Sequence, residues 1–114
     1  MQILINADHN IKGGKSLADS VRASVADALS RFSARITRVE VHLADENAAK
    51  SGGKDKHCVM EARLEGHPPV AVTEHAATVG QAIDGAAERL VHLLEHTLGR
   101  LHDHRGHAPE PLAE

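Results

Sequence analysis

Two arginines and three histidines near the end of the sequence recur at the spacing of one helix face. This set, here called the basic stripe, comprises Arg89, His92, His96, Arg100 and His104. At about 100° per residue, all of them fall within about 60° of Arg89. Guanidinium groups and protonated imidazoles donate hydrogen bonds to phosphate oxygens, so the basic stripe could bind a nucleic-acid backbone. The alternative, which the spacing alone favours, is a solvated helix face with pairs between residues i and i+4.

The same histidines could also bind a metal ion. His92 and His96 lie one helical turn apart, with His102, Asp103 and His104 nearby. A stable zinc site uses three or four protein ligands, and no Cys/His cluster in the sequence has a recognised structural spacing. We therefore expect no specific metal site, and metal buffering by the ten histidines is a less favoured function.

No residue pattern predicts catalysis. Cys58 is the only cysteine, and it alternates with Met60 along an apolar strand face, so we expect a buried structural thiol. The sequence contains no Walker loop, no glycine-rich dinucleotide fingerprint and no nucleophile elbow. We therefore expect a protein that is not an enzyme, has no cofactor and acts on no small-molecule substrate.

The hydrophobic periodicity predicts the elements that position these residues. Residues 2–7, 36–44, 57–65 and 70–74 form strands, with Thr37, Val39, Val41 and Leu43 on one face of the second strand. An amphipathic helix starts at an N-cap Ser16, with Asp19 in its first turn, and ends near residues 32–34. Thr78 caps a final helix of about 25 residues, with Gln81 at the capping-box position. The remaining segments are a turn over 66–69, an exposed loop over 45–56 and a disordered tail over 107–114.

The order β-α-β-β-β-α predicts a two-layer α+β domain over residues 1–106, with both helices on one face of a four-stranded sheet. The first two strands would be parallel because a helix crosses between them, and the other pairs would be antiparallel. On the final helix, an apolar stripe faces the sheet. Asp84, Glu88 and Glu95 form an acidic edge on the flank away from the basic stripe.

The composition restricts the function classes. The chain has 114 residues, 13 Lys and Arg, 16 Asp and Glu, a formal net charge of -3 and one aromatic residue, Phe32. The acidic balance argues against the simplest nucleic-acid binder, and a single aromatic argues against reading single strands by base stacking. No apolar run reaches the roughly 18 residues of a membrane span, and the N-terminus is not a secretory signal, so we expect a cytoplasmic protein without membrane association.

Particular segments resemble a known family. They are Met1-Gln2-Ile3, the helix-one residues 16–22 and 29–32, the run 81–85, Arg89-Leu90, Leu94 and Arg100-Leu101. Together with the element order, they resemble the ribosome hibernation promoting factor family, which includes ribosome-associated inhibitor A. The resemblance covers about residues 1–105, and the length is similar to that of the short family members, which lack a dimerisation domain.

The resemblance implies a fold similar to double-stranded RNA-binding domains. It also implies binding to the small ribosomal subunit near the decoding region, where the protein sterically blocks messenger and transfer RNA under stress or in stationary phase. Basic side chains would contact ribosomal RNA phosphates. The candidate contacts are Lys12, Lys15, Arg22, Arg31, Lys50, Lys54, Lys56, Arg89, His92, His96 and Arg100. The alternative is a protein-binding regulatory module on the same fold that has lost its affinity for ribosomal RNA.

Overall fold

A computed structural model describes residues 1–8, 11–45 and 56–106, with side chains as far as Gly99. The chain forms four strands, two α-helices and one 3-10 turn in the predicted order. The elements are β1 (Gln2–Ala7), α1 (Gly14–Ala28), the 3-10 turn (Ser30–Phe32), β2 (Ile36–Asp45), β3 (Lys56–Leu64), β4 (His67–Ala76) and α2 (Val79–Gly106).

The strands form one sheet in the order β1-β2-β3-β4. β1 and β2 are parallel, whereas β2–β3 and β3–β4 are antiparallel. Helix α1 contacts β1, and α2 contacts β3, β4 and α1. The predicted two-layer α+β fold, with its mixed sheet, is therefore confirmed.

The core lies between the sheet and the helices, and its fully buried side chains come from α1 and the turn after it, β2, β3 and α2. Its largest members are Val21, Val25, Leu29, Val39, Val41, Cys58, Met60, Leu90 and Leu94. Burial of each aliphatic side chain contributes about 1.5–3 kcal/mol. This burial fixes the rotation of α2 about its axis, and the basic stripe is thereby placed away from the core.

The start of α1 differs from the prediction. The N-cap is Gly13, with φ of 127° and no side-chain cap, and Ser16 lies inside the helix. A Cβ at position 13 would lie 2.6 Å from the Cβ of Leu17, so the chain enters the helix through a conformation that glycine favours. The helix also ends earlier than expected, and the 3-10 turn carries the chain on to Phe32.

The strand boundaries contain two further corrections. β4 begins at His67 and includes both prolines, so the predicted turn shortens to Glu65 and Gly66. Both prolines are tolerated because the register with β3 shifts between Ala62 and Leu64, so that neither Pro68 nor Pro69 has a partner on β3. In β2, Ile36 is buried and Thr37 is exposed, because the register with β3 shifts between Ile36 and Arg38.

The cap of α2 is confirmed, since the backbone N–H of Gln81 donates to Thr78 Oγ1 at 3.1 Å. The helix is 28 residues long, slightly longer than expected. Within the described residues, neither helix combines the length and hydrophobicity that crossing a membrane requires. The predicted tail over 107–114 and most of the predicted loop lie outside the described residues.

Candidate nucleic-acid interface

The described members of the basic stripe lie on the solvent-facing flank of α2. Arg89, His92 and His96 are all exposed, whereas Leu90 and Leu94 beside them are fully buried. The stripe continues along the helix to Arg100, whose side chain lies outside the description. The structure therefore brings three predicted contacts to one accessible surface, as the helical spacing predicted.

Arg89 is oriented by a carboxylate on the neighbouring strand. Its Nη1 donates a hydrogen bond to Glu74 Oε1 at 3.3 Å, and its side chain remains 62% exposed. Glu74 packs closely against α2 at Gly85, where an added Cβ would meet the Glu74 carboxylate at 2.8 Å. Gly85 thus leaves room for the group that holds Arg89, a role that the sequence motif around Gly85 did not reveal.

The predicted contacts on α1 share one acidic partner. Lys15 Nζ lies 3.0 Å from Asp19 Oδ2, and Arg22 Nη1 lies 3.3 Å from Asp19 Oδ1. Lys12 is exposed just before the helix. Asp19 was expected in the first turn but lies in the second, because the helix begins at Gly14, and it bridges two cations along the outer face of α1.

Arg31 connects the 3-10 turn to α2. Its guanidinium pairs with Glu95 and also lies over the Phe32 ring, 4.8 Å from the ring centroid. The sequence analysis assigned Glu95 to an acidic edge and did not connect it with Arg31, because the two residues are 64 positions apart. No helical or strand periodicity carries information about a contact at that separation.

Lys15, Arg22, Arg31 and Arg89 are thus all paired with carboxylates, and all of these pairs are solvent-exposed. Such exposed pairs contribute about 0.2–1 kcal/mol each. A phosphate can therefore replace the carboxylate at small cost, and pairing does not disqualify these side chains as phosphate contacts.

The lysines expected in the long loop are less well defined. Lys50 and Lys54 lie outside the described residues. Lys56 belongs to β3 and pairs with Asp45 of β2 at 3.3 Å, with 27% of its side chain exposed. It is a cross-strand partner at the sheet end, and not the loop cation that the sequence analysis expected.

A groove between α1 and α2 interrupts the cationic surface. It has a volume of about 330 Å³, and three carboxylates, Asp27, Asp84 and Glu88, surround an apolar floor that includes Ala28 and Val91. Asp84 and Glu88 belong to the acidic edge predicted for α2, whereas Asp27 lies on α1 and comes beside them only through the packing of the helices. A phosphate backbone cannot lie along this groove without repulsion from the carboxylates.

The outer face of the sheet carries a balanced charge network. Glu40 Oε2 lies 2.9 Å from Arg38 and 3.7 Å from Arg63, and Arg63 also lies 3.4 Å from Glu61. His42 Nε2 lies 3.6 Å from the same Glu40. Of these contacts, only the Arg63–Glu40 pair joins two strands, and the mutual neutralisation of these groups makes this face a weaker anion site than the helical layer.

Cys58 has no catalytic environment. It is fully buried, and burial raises the pKa of its thiol to about 12. The thiolate is the nucleophilic form, so this cysteine is unreactive near neutral pH. The expected buried structural thiol is confirmed.

Two histidines on the outer sheet face form a contact that the sequence analysis missed. His57 and His75 are opposite each other in the β3–β4 register, and their rings stack at 5.2 Å. The contact could have been predicted from the sequence only with the β3–β4 register, because the register determines which residues lie opposite each other. No cluster of three or more metal-ligating side chains occurs within the described residues.

Comparisons with known proteins identify a matching family and similar solved structures. Residues 5–102 match the family model described as sigma 54 modulation protein / S30EA ribosomal protein. A search among curated proteins gives no significant match. The structure is similar to the Protein Y N-terminal domain of Thermus thermophilus, with 24% identity, a TM-score of 0.67 and coverage of 85% of this chain and 99% of that chain.

A second solved structure has the same fold. It is described as a ribosomal subunit interface protein from Coxiella burnetii, and it is similar at 13% identity with a TM-score of 0.64. The match covers 87% of this chain and 99% of that chain. At these identities, the two likenesses establish the fold.

Proposed function

Because the chain belongs to the sigma 54 modulation protein / S30EA ribosomal protein family, a family of ribosome-associated modulation factors, we propose that it binds the small ribosomal subunit near the decoding region. The bound protein sterically blocks messenger and transfer RNA and so silences idle ribosomes under stress or in stationary phase. It acts in the cytoplasm, uses no cofactor and makes or breaks no covalent bond.

The observation that carries this proposal is the family match over residues 5–102, which spans α1, β2, β3, β4, the last three residues of β1 and most of α2. The exposed cations of the helical layer supply a physical means of binding. Their carboxylate partners are exchangeable, and the acidic groove directs the RNA backbone to either side of it. The proposed contacts are Lys12, Lys15, Arg22, Arg31, Lys50, Lys54, Lys56, Arg89, His92, His96 and Arg100.

Charge neutralisation on the helical layer tests the proposal. We expect Lys15→Gln combined with Arg89→Gln to weaken co-sedimentation with purified small subunits. Affinity falls as salt rises, and loss of two phosphate contacts makes the negative slope of log affinity against log salt shallower by about 1.5. The measurement is the pelleted fraction across roughly 50–200 mM salt.

The matched control is Gln2→Glu combined with Asn6→Glu, which lowers the net charge by the same amount on exposed positions of β1. We expect this control to keep the salt slope of the wild type. Equal losses in the two double variants would trace binding to net charge and remove the helical layer from the proposal.

The acidic groove favours one alternative function, a protein-binding regulatory module that has lost affinity for ribosomal RNA. Asp27, Asp84 and Glu88 would attract a basic protein segment and repel phosphates. Failure of the wild-type protein to pellet with small subunits at any salt concentration would select this alternative. Salt-sensitive pelleting that depends on Lys15 and Arg89 would reject it.

A further inference from the structure

A second groove lies between β4 and α2, on the side of α2 that carries the basic stripe. Its volume is about 540 Å³, and its lining includes Ala71, Val72 and Thr73 from β4 with Arg89, His92 and Leu93 from α2. Successive strand residues point to opposite faces of a sheet. Three consecutive residues can line one groove only if it runs along the edge of the strand, where the backbone is accessible.

That edge is open for pairing. Within the described residues, β4 pairs with β3 alone and forms one margin of the sheet. Alternate N–H and C=O groups of an edge strand point away from the sheet and can accept another strand. Pro68 and Pro69 block pairing at the start of β4, so the usable edge is residues 70–76.

The groove also offers an apolar contact that the fold itself does not use. Val72 packs against the core, whereas Leu93 is half-buried and, among the described residues, lies outside the apolar side chains that pack against the core. An apolar side chain of a bound segment would fill the space between Leu93 and the strand. In strand addition the main-chain hydrogen bonds give affinity, and pockets for alternate side chains such as this one give specificity.

The polar rim selects the charge of the occupant. Arg89 is exposed and donates one hydrogen bond to Glu74, which leaves further guanidinium donors for a second carboxylate. His92 is exposed beside it, and β4 contributes the uncharged Ala71 and Thr73 to this rim. A carboxylate-bearing segment therefore complements the rim, whereas a lysine-rich segment would face Arg89.

We propose that the β4–α2 groove docks an extended acidic peptide segment of a partner protein. The segment adds a strand to the open edge of β4, places an apolar side chain against Leu93 and directs carboxylates to Arg89 and His92. A nucleic acid would not use the strand edge, and the groove lining contains no Phe, Tyr or Trp side chain for base stacking. The peptide site shares Arg89 and His92 with the proposed ribosomal RNA surface, so the two ligands compete.

The probe is a fluorescein-labelled peptide of alternating glutamate and valine, about six residues long. We expect it to bind and to slow amide hydrogen exchange at alternate residues of β4 between 71 and 75, measured by NMR. The same peptide with lysine in place of glutamate binds more weakly. An oligouridine of similar length does not slow exchange at the β4 edge.

Two variants separate the groove from the fold and from RNA binding. We expect Leu93→Ser to weaken peptide binding about tenfold, as for loss of an interface anchor, and to leave small-subunit association at the wild-type level. The matched control is Leu4→Ser, since Leu4 is also half-buried but lies in β1, at the opposite margin of the sheet. It leaves peptide binding unchanged.

The proposal is overturned if the lysine peptide binds equally well, if amide exchange in β4 is unchanged, or if only the oligouridine perturbs the groove. Small-subunit association in Leu93→Ser is measured separately. Failure of peptide docking is thereby distinguished from failure of ribosome binding.

Discussion

At the scale of single residues, the surroundings decide what a side chain can do. Cys58 has a reactive side-chain type, but it lies in the core, and burial raises the pKa of its thiol to about 12. Arg89 has the opposite situation, because its partner Glu74 orients it while most of its surface stays in solvent. The two residues therefore differ in accessibility: Cys58 packs in the core, and Arg89 can bind a ligand from solvent.

The pKa of Cys58 predicts a loss of stability in alkali. The unfolded thiol ionises above about pH 9, whereas the folded thiol stays protonated to about pH 12. Its contribution is complete below pH 9 and is lost as the pH rises towards 12, at up to about 1.4 kcal/mol per pH unit. Urea unfolding at about pH 8 and pH 10 measures it. We expect Cys58→Val, which cannot ionise, to lose less stability over this interval than the wild type; equal losses would contradict the assignment.

At the scale of elements, backbone geometry determined where helices and strands begin. Ser16 is a suitable N-cap residue, yet the N-cap of α1 lies three residues earlier, at Gly13, which adopts a positive φ and approaches Leu17 closely. β4 runs through Pro68 and Pro69 because both lie where its register with β3 shifts, so that neither has a partner on β3. Side-chain pattern alone contains neither fact, so both boundaries were predicted wrongly.

The start of α1 gives a stability prediction. We expect Gly13→Ala to lower the free energy of unfolding by about 1–3 kcal/mol, because the new Cβ meets Leu17 at a strained φ. The control is Gly80→Ala in α2, where an added Cβ has nothing within 4 Å and φ is not positive. Its stability stays equal or rises slightly. Urea denaturation measures both, and an unchanged midpoint in Gly13→Ala would contradict the role of Gly13.

At the scale of the whole molecule, the distribution of charge matters more than its sum. The net charge of -3 argued against a simple nucleic-acid binder. The structure nevertheless places exposed cations on the helical layer and concentrates three carboxylates in one groove between the helices. A binding surface depends on the local field, and charges beyond about 8–10 Å are screened at physiological salt.

The two described histidines of the basic stripe predict a local charge effect on ribosome association. His92 and His96 are exposed, so we expect His92→Glu with His96→Glu to weaken co-sedimentation with small subunits at constant salt and pH, because carboxylates there repel phosphates. The control, His42→Glu with His75→Glu, places the same charges at two exposed positions of the sheet strands and keeps the association of the wild type. Equal effects of the two pairs would assign the response to net charge.

The sequence alone determined the element order, the sheet topology and the faces of both helices, because the periods of buried residues in helices and strands are local properties. It also located the basic stripe, the cap at Thr78 and the buried thiol, since each depends on residues a few positions apart. The same local reasoning identified the carboxylates of α2 as an acidic edge. It could not identify what would lie opposite them.

Only the tertiary structure decided which distant groups meet. Packing of the helices brought Asp27 beside Asp84 and Glu88, paired Arg31 with Glu95, and opened the groove between β4 and α2. The register of β3 with β4 placed His57 against His75. These contacts join residues far apart in the chain, and their geometry follows from filling the core as a whole, which periodicity along one element does not specify.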